Sequence, residues 1–427
     1  MKTTTVIINS ISIFILLCLF MLTPIHLFQK LIIIYPTFAI WLISANNIDN
    51  NFFSKSFGFW GFFFCFAFLW YIYSFYNTEW EFLHFVNHIF LTYMWILMFV
   101  FYSSYLEIFS KLVYPFLFVI LISCLFTVHG NIVLPGASRT LASVGHLLEA
   151  DREMAIALNV GGFGFIYSLT FMIVPLMSRI RENKKDIIMW IILLVTLATI
   201  VVASYFMAIL FAALFLFISL SSTRNILRSV IIIVILSLIL YLMRDDILIG
   251  LVQLGDYIDS PMLQRRAEQM LLGTYQSAYD ESGDESRVEL IQNGIQNFLS
   301  SPIIGQMRSD YTNLHSGHSE MIGYFEKYGI FGFIYIAFFM KVYKVTRRCF
   351  KTKKMSILYS FMYVGVMTLV TLNTFSVSCE AGLVGFFVVP ILMLIIEQKS
   401  MSPHLANFSQ QHRTKLFSQE YDKLFSW

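Results

Sequence analysis

Two closely spaced histidines stand near the end of a long polar stretch, residues 244–327, in a chain that is 58% hydrophobic. His318 comes directly before a segment with apolar helical character, and His315 lies three residues earlier. The free N–H groups and the dipole of a helix start favour anions and lower the pKa of an imidazole. A neutral imidazole can act as a general base at pH 7. Capping of the helix or simple surface polarity is the alternative interpretation of a histidine at this position.

Arginines are the second chemical feature of the polar stretch, which contains five of them: Arg244, Arg265, Arg266, Arg287 and Arg308. A guanidinium binds phosphate oxygens in a bidentate way and keeps its proton. The pattern therefore predicts a site for an anionic, phosphate-bearing ligand. Pairing with carboxylates of the same stretch is the alternative, and the partners would be Asp245, Asp246, Glu268, Asp284 and Glu285.

Membrane helices must position these residues. Only 13% of the chain is charged and 17% is aromatic, including 44 Phe. Repeated apolar runs have the length of about 20 residues that a helix needs to cross the hydrocarbon core of a bilayer. A spanning segment has to satisfy its backbone hydrogen bonds internally, and helices do so. The composition predicts an all-α, polytopic membrane protein with about 12 transmembrane helices and one large extracytoplasmic loop.

The charge distribution predicts the topology. The expected spans lie near residues 5–23, 31–46, 58–76, 85–103, 112–129, 157–177, 187–203, 205–220, 229–243, 320–340, 355–375 and 378–396. Cytoplasmic loops of membrane proteins are rich in Lys and Arg. The densest basic cluster, Lys341, Lys344, Arg347, Arg348, Lys351, Lys353 and Lys354, falls on the inside if the N-terminus is cytoplasmic. The rule therefore predicts that both termini are cytoplasmic and that the polar stretch is outside.

This topology divides the chain into four regions. Residues 1–243 would form about nine transmembrane helices, with an outside loop near 130–156, and residues 244–319 would form the large extracytoplasmic loop. Residues 320–397 would add about three helices. Residues 398–427 would form a cytoplasmic tail whose apolar side chains recur near helical spacing, as in a short interfacial helix.

Local patterns place the chemical residues on elements of the loop. Leu290, Ile291, Ile295 and Phe298 form an apolar stripe, which predicts a short amphipathic helix with Arg287 at its start. Ser301-Pro302 ends this helix, because proline disfavours helical geometry in the residue before it. Gly305 permits a turn, and a connecting loop leads to the histidines and to a helix predicted over residues 320–341.

The order and spacing of four motifs resemble those of a known family. They are Ser286-Arg287, Ser301-Pro302-Ile303-Ile304-Gly305, Gly317-His318-Ser319 and Tyr328-Gly329-Ile330-Phe331-Gly332. This part of the chain is similar to the O-antigen polymerase and O-antigen ligase superfamily of bacterial envelope glycosyltransferases. The distance to Tyr328-Gly329 fits the family for His318 and not for His315. A weaker likeness covers Ser138-Arg139 and the segment from Asn159 to Gly164, where Arg139 or Arg152 would supply a further arginine.

The resemblance implies a metal-independent, inverting glycosyltransferase of the C-type membrane superfamily, without a cofactor, in the bacterial inner membrane. Donor and acceptor would be glycans linked to undecaprenyl pyrophosphate, and a chain-length regulator and a flippase would be further partners; no nucleic acid is implied. His318 would activate the acceptor hydroxyl, with His315, Glu326 and Tyr328 in support. The pyrophosphate leaving group would be held by Arg287, Arg139, Arg152, Arg265 and Arg266. Gly317-His318-Ser319 favours a polymerase, because ligases more often have His-Asn there.

Two other classes of membrane protein stay open as alternatives. A lipid-linked oligosaccharide flippase or another transporter would place ionisable residues inside its spans and contain internal repeats. This sequence has almost no charge inside the predicted spans and no clear repeat. In a structural or scaffold protein the Arg- and His-bearing loop would be incidental. The acidic residues 280–285 lack the alternating ligands and closing Glu of a calcium loop, so they predict a solvated turn and no metal site.

Overall fold

The computed structural model describes residues 3–24, 30–76, 90–134, 136–141, 149–203, 205–220, 244–257, 264, 287–305, 319–372 and 380–401. All regular elements within these ranges are helical. The α-helices are α1 Thr3–Met21, α2 Lys30–Ile48, α3 Phe52–Tyr76, α4 Leu91–Ser104, α5 Leu106–Ser110, α6 Val113–Val133, α7 Ala137–Thr140, α8 Glu149–Ala157, α9 Phe163–Glu182, α10 Ile187–Val202, α11 Phe206–Leu220, α12 Arg244–Tyr257, α13 Arg287–Ser300, α14 Glu320–Tyr328, α15 Phe333–Cys349, α16 Lys353–Leu372, α17 Glu380–Leu383 and α18 Val389–Ser400.

Apolar helices dominate the fold, as the composition predicts. Among the described residues, six helical segments are long and apolar enough to cross a membrane: Thr3–Met21, Val113–Val133, Phe163–Glu182, Glu320–Cys349, Lys353–Thr371 and Glu380–Ser400. Five further apolar helices are shorter. The all-helical, polytopic character of the protein is thus confirmed. The predicted span 229–243 lies outside the described residues, and the total of twelve spans stays a prediction.

Two of the differences from the predicted helix boundaries have a clear backbone cause. The span predicted over residues 157–177 is α9, which begins only at Phe163 because Asn159 has a φ of 57° and Gly162 is extended. The helix predicted over residues 320–341 is interrupted after Tyr328 by a 3-10 turn at Gly329–Gly332. Gly329 has a φ of 56°, which an α-helix does not accept. The helix then resumes as α15 and continues to Cys349.

Helices α9 and α17–α18 form the centre of the bundle. In the most apolar part of Glu380–Ser400, 94% of the residues are buried, and in that of Phe163–Glu182, 83% are. The corresponding share for Thr3–Met21 is 39%. Helix α9 packs against α10, α11, α17 and α18. A helix that is apolar all round belongs inside a bundle, whereas α1 leaves one apolar face open, as a helix next to lipid does.

A buried polar network joins α1, α2 and α4. Asn9 Nδ2 donates to Ser44 Oγ at 2.9 Å, and the Tyr102 hydroxyl donates to Asn9 Oδ1 at 2.7 Å. Trp41 Nε1 donates in turn to the Tyr102 oxygen at 3.0 Å. Hydrogen bonds of this kind hold apolar helices in one arrangement where the hydrophobic effect between helices is weak.

Contacts between helix ends follow the alternation of helix direction that the predicted topology requires. At ends assigned to the outside, the Tyr205 hydroxyl donates to the Ser138 carbonyl and Thr371 contacts Met321. At ends assigned to the inside, the backbone N–H of Lys351 donates to Glu397. The candidate motifs at Ser301–Gly305 and Tyr328–Gly332 therefore lie at the bundle end that includes Met321 and Thr371.

Candidate functional site

Helix α13 carries the first motif and has the predicted limits. It begins at Arg287 and ends at Ser300, directly before Ser301-Pro302. The predicted apolar stripe is only partly buried. Phe298 packs on the ring of Phe325, whereas Ile295 is 45% exposed. Asn297 and Phe298, near the end of α13, both contact α14. The side chain of Arg287 lies outside the described residues.

The second and fourth motifs interlock through their backbones. Gly305 has a φ of 64°, and a Cβ atom on it would fall on the backbone of Lys327 and within 2.5 Å of the Gly329 nitrogen. A Cβ on Gly329 would lie 2.6 Å from the Ile303 carbonyl oxygen. Next to them, the Ile330 N–H donates to the Pro302 carbonyl at 2.8 Å. Only glycine at both positions allows this approach and these φ angles, which explains both glycines of the pattern.

A buried carboxylate fastens the same two segments. Asn297 Nδ2 of α13 donates to Glu326 Oε1 of α14 at 2.6 Å, and Glu326 has no exposed surface. Beside this pair, the rings of Phe298 and Phe325 meet edge to face at 5.7 Å. A hydrogen bond to an ionised acceptor is stronger than one between neutral groups. Glu326, predicted as a supporting residue, thus supports the contact between α13 and α14.

The start of α14 is capped by the residue that follows His318. Ser319 Oγ accepts a hydrogen bond from the Ile322 N–H at 3.2 Å, and Ser319 is itself buried. A side-chain cap satisfies one of the free N–H groups of the first turn and fixes where the helix begins. His318 and His315 lie outside the described residues, so their predicted roles stay predictions. The chain enters α14 one residue after His318, as predicted.

Helix α14 is seated on the membrane helices by aromatic side chains. The rings of Tyr324 and Tyr335 stack with centroids 4.1 Å apart, and Phe66 of α3 meets Tyr324 edge to face. Tyr328, also predicted as a supporting residue, is 5% exposed and packs in one cluster with Leu69 of α3. The predicted supporting residues on α14 therefore belong to a helix with a fixed position against α3 and α15.

A second segment that is predicted to lie outside contains the weaker likeness around Ser138-Arg139. Ser138 is buried, its N–H donates to Asn131 Oδ1 at 3.2 Å, and its carbonyl accepts from the Tyr205 hydroxyl at 2.7 Å. Val160 packs directly on Gly130 and the Gly161 N–H donates to Thr127 Oγ1 at 2.9 Å. Both halves of the likeness are thus fixed to the end of α6.

The predicted pyrophosphate arginines differ in what the structure describes. Arg152 is exposed on α8, so it is accessible to a ligand. Arg139 lies in α7, and its side chain lies outside the described residues. Arg265 and Arg266 also fall outside the described residues. Their role as a phosphate-binding set stays a prediction.

The structure adds three features that sequence reasoning missed: the pairing of Asn297 with Glu326, the backbone interlock of Gly305 with Gly329, and the Ser319 cap. A serine directly before an apolar helical run is a recognised helix-start signal, so the cap was accessible from sequence. The other two features join positions more than twenty residues apart, and no local pattern marks such a pairing. No protein-family model, curated protein or solved structure matches the chain. The family resemblance therefore rests on the motifs themselves.

Proposed function

We propose that this protein is an integral membrane glycosyltransferase that joins undecaprenyl-pyrophosphate-linked oligosaccharide repeat units into a surface polysaccharide. The single observation that carries the proposal is the interlock of Gly305 with Gly329. These glycines belong to two of the four motifs that resemble the polymerase and ligase superfamily. A shared backbone contact between them supports the view that the motifs form one unit and do not occur independently.

The chemistry requires a base, an anion site and fixed geometry. His318 takes the proton of the acceptor hydroxyl, whose oxygen then bonds to the anomeric carbon of the donor glycan. The bond from that carbon to the pyrophosphate breaks on the opposite face, which inverts the configuration. Arg287 and the other arginines stabilise the negative charge that grows on the leaving pyrophosphate. The capped start of α14 adds N–H groups and a positive helix end next to His318.

The packing of α14 against the apolar helices supports a site at the membrane surface. A lipid-linked donor stays in the bilayer and presents its pyrophosphate at the interface. Tyr324 and Tyr328 pack on Phe66 and Leu69 of α3, which holds α14 against an apolar helix of the bundle. Positioning of this kind lowers the entropic cost of bringing two large substrates together.

The surface glycan of a deletion strain tests the proposal and separates it from its main alternative. Loss of a polymerase leaves lipid A carrying a single repeat unit. Loss of an O-antigen ligase leaves full-length polymer on the lipid carrier, unattached to lipid A. Loss of the surface glycan, with unextended lipid-linked units retained on the cytoplasmic face, would instead indicate a flippase.

Arg287 offers a sharper test within the proposal. Arg287→Ala removes both charge and bidentate geometry, so polymer growth should stop, while Arg287→Lys keeps the charge and should retain partial activity. Arg308→Ala, in the same predicted loop but outside the motifs, is the matched control and should keep a normal ladder. Normal long-chain polysaccharide with Arg287→Ala would overturn this role.

A further inference from the structure

A basic groove lies at the opposite end of the bundle from the candidate site. It runs between the end of α15 and the start of α16 and is lined by Tyr343, Lys344, Arg347, Arg348 and Ser356. Its volume is about 240 Å³. A water molecule occupies roughly 30 Å³ in the liquid. The groove therefore has room for a phosphate group together with part of its hydration shell.

Arg347 is held in place on the wall of this groove. Its Nε donates to Ser356 Oγ at 3.2 Å, and its guanidinium lies 5.8 Å from the centre of the Tyr343 ring. The Tyr343 hydroxyl is in turn 2.9 Å from Ser360 Oγ. With Nε bound and the guanidinium over the Tyr343 ring, Arg347 loses little freedom when its terminal nitrogens bind two oxygens of an anion.

The charge of the groove is positive and stays so despite a nearby carboxylate. Lys344, Arg347 and Arg348 contribute three cations, and none of the lining residues is acidic. Glu397 is 1% exposed and accepts hydrogen bonds from the backbone N–H groups of Lys351 and Thr352. The Glu397 carboxylate is therefore occupied by these hydrogen bonds, which fix the turn between α15 and α16.

We propose that this groove binds the phosphate group of an anionic membrane lipid. The groove opens where two membrane-spanning segments, Glu320–Cys349 and Lys353–Thr371, meet, which is the level of lipid headgroups. The positive-inside rule predicts that this end faces the cytoplasm, and the cytoplasmic leaflet is rich in anionic lipids. Orientation of the chain requires only a number of positive charges, whereas an arginine held by a hydrogen bond and by a tyrosine ring beside a cavity is suited to a specific headgroup.

Binding to the purified, full-length protein in detergent tests this inference. The probes are mixed micelles with phosphatidylglycerol, mixed micelles with phosphatidylcholine, and inorganic phosphate, and the readout is the apparent affinity from the shift in melting temperature. We expect phosphatidylglycerol to stabilise the protein at low mole fraction and the zwitterionic lipid and inorganic phosphate to have little effect. The double variant Lys344→Gln/Arg347→Gln should weaken the binding of phosphatidylglycerol by more than about tenfold.

The matched control is Lys184→Gln/Lys185→Gln, which removes two exposed charges from another loop predicted on the same side. It should bind phosphatidylglycerol like the wild type. Equal weakening by the control would overturn the groove in favour of general charge attraction, and equal stabilisation by inorganic phosphate would overturn the lipid as ligand. Arg347→Lys keeps the charge and should still weaken binding several-fold; unchanged affinity would contradict the bidentate geometry. The lipid-free melting temperature of each variant shows that it is folded.

Discussion

Two buried glutamates, at opposite ends of the bundle, stabilise the contacts between neighbouring segments in different ways. Glu326 has no exposed surface and accepts a hydrogen bond from the Asn297 side chain at 2.6 Å, which joins two helices. Glu397 is 1% exposed and accepts from the backbone of Lys351 and Thr352 and from the Thr352 hydroxyl, which caps the start of α16. One carboxylate joins the side chains of two helices, and the other holds mainly the backbone of a turn.

The difference teaches how to interpret buried charge in a membrane protein. A buried carboxylate is often taken as a sign of a functional site, because burial of a charge is costly. Both of these carboxylates have partners that offset the cost, and neither needs a catalytic role to explain it. Glu326 gains importance only from its place on α14, between the capping Ser319 and Gly329, whereas Glu397 fixes the turn between α15 and α16.

The largest effect is expected at the glycine interlock, which lies at the same end of the bundle as Glu326 and has no counterpart in the contacts of Glu397 described above. Gly305→Ala or Gly329→Ala combines an unfavourable positive φ with a backbone overlap, so it should lower the free energy of unfolding of this region by roughly 3 kcal/mol or more and abolish polymer formation. Thermal melting in detergent and a surface glycan gel measure the two effects. Gly61→Ala is the matched control, because among the described residues no atom beyond its chain neighbours and its own helix backbone lies within 4 Å of the added methyl group. Normal product from Gly305→Ala would show that the interlock is dispensable.

Glu397 should affect stability more than activity. Glu397→Ala leaves the N–H groups of Lys351 and Thr352 without their acceptor, so unfolding should become easier by about 3 kcal/mol. Glu397→Gln keeps one acceptor oxygen and should cost less. The amount of glycan formed per folded molecule should be unchanged in both variants. A specific loss of polymer in a stable Glu397→Gln protein would remove the contrast between the two glutamates.

Loss of the Asn297–Glu326 pair should affect activity more than stability. A double-mutant cycle with Asn297→Ala and Glu326→Ala, each of which removes the hydrogen bond, should give a coupling energy of about 1.5 kcal/mol in the melting of purified protein. Polymer length should fall further than this modest loss of stability explains, because the pair positions the helix that follows His318. Additive effects of the two substitutions would show that the hydrogen bond contributes nothing to stability.

The smallest effect is expected at the cap of α14. Ser319→Ala removes the acceptor for the Ile322 N–H and should cost about 1 kcal/mol, while Ser319→Asp keeps a capping oxygen and should be neutral. The glycan ladder of the Ser319→Ala variant should shorten in proportion to this loss of stability. If Ser319→Asp has the same defect as Ser319→Ala, the serine acts by something other than capping.

How far the sequence predicts the fold depends on whether the signal is local. The limits of α13 followed from Arg287 at the start of an apolar period and from Pro302 beyond its end, both of which act within a few residues. The break at Gly329 was missed, because a glycine inside an apolar helical pattern does not show whether its φ is positive. That φ is stabilised by contact with Gly305, so it depends on tertiary packing.

The candidate site divides in the same way. His318 and Arg287 were selected by residue type and spacing, and the structure describes the elements next to them. The partner of Glu326 was not predictable, because Asn297 is one of several polar residues on α13 and only the docked geometry distinguishes it. Glu397 was likewise inconspicuous, since it follows an apolar run like any charge at the end of a span.

The central claim is that His318 is the base of a glycosyl transfer, and one comparison tests it most directly. A deletion strain is complemented with the wild type, His318→Ala or His315→Ala at matched levels in the membrane, and surface glycan is resolved on a gel. The account predicts a single repeat unit with His318→Ala and a full ladder with His315→Ala. A full ladder with His318→Ala would contradict the proposed mechanism.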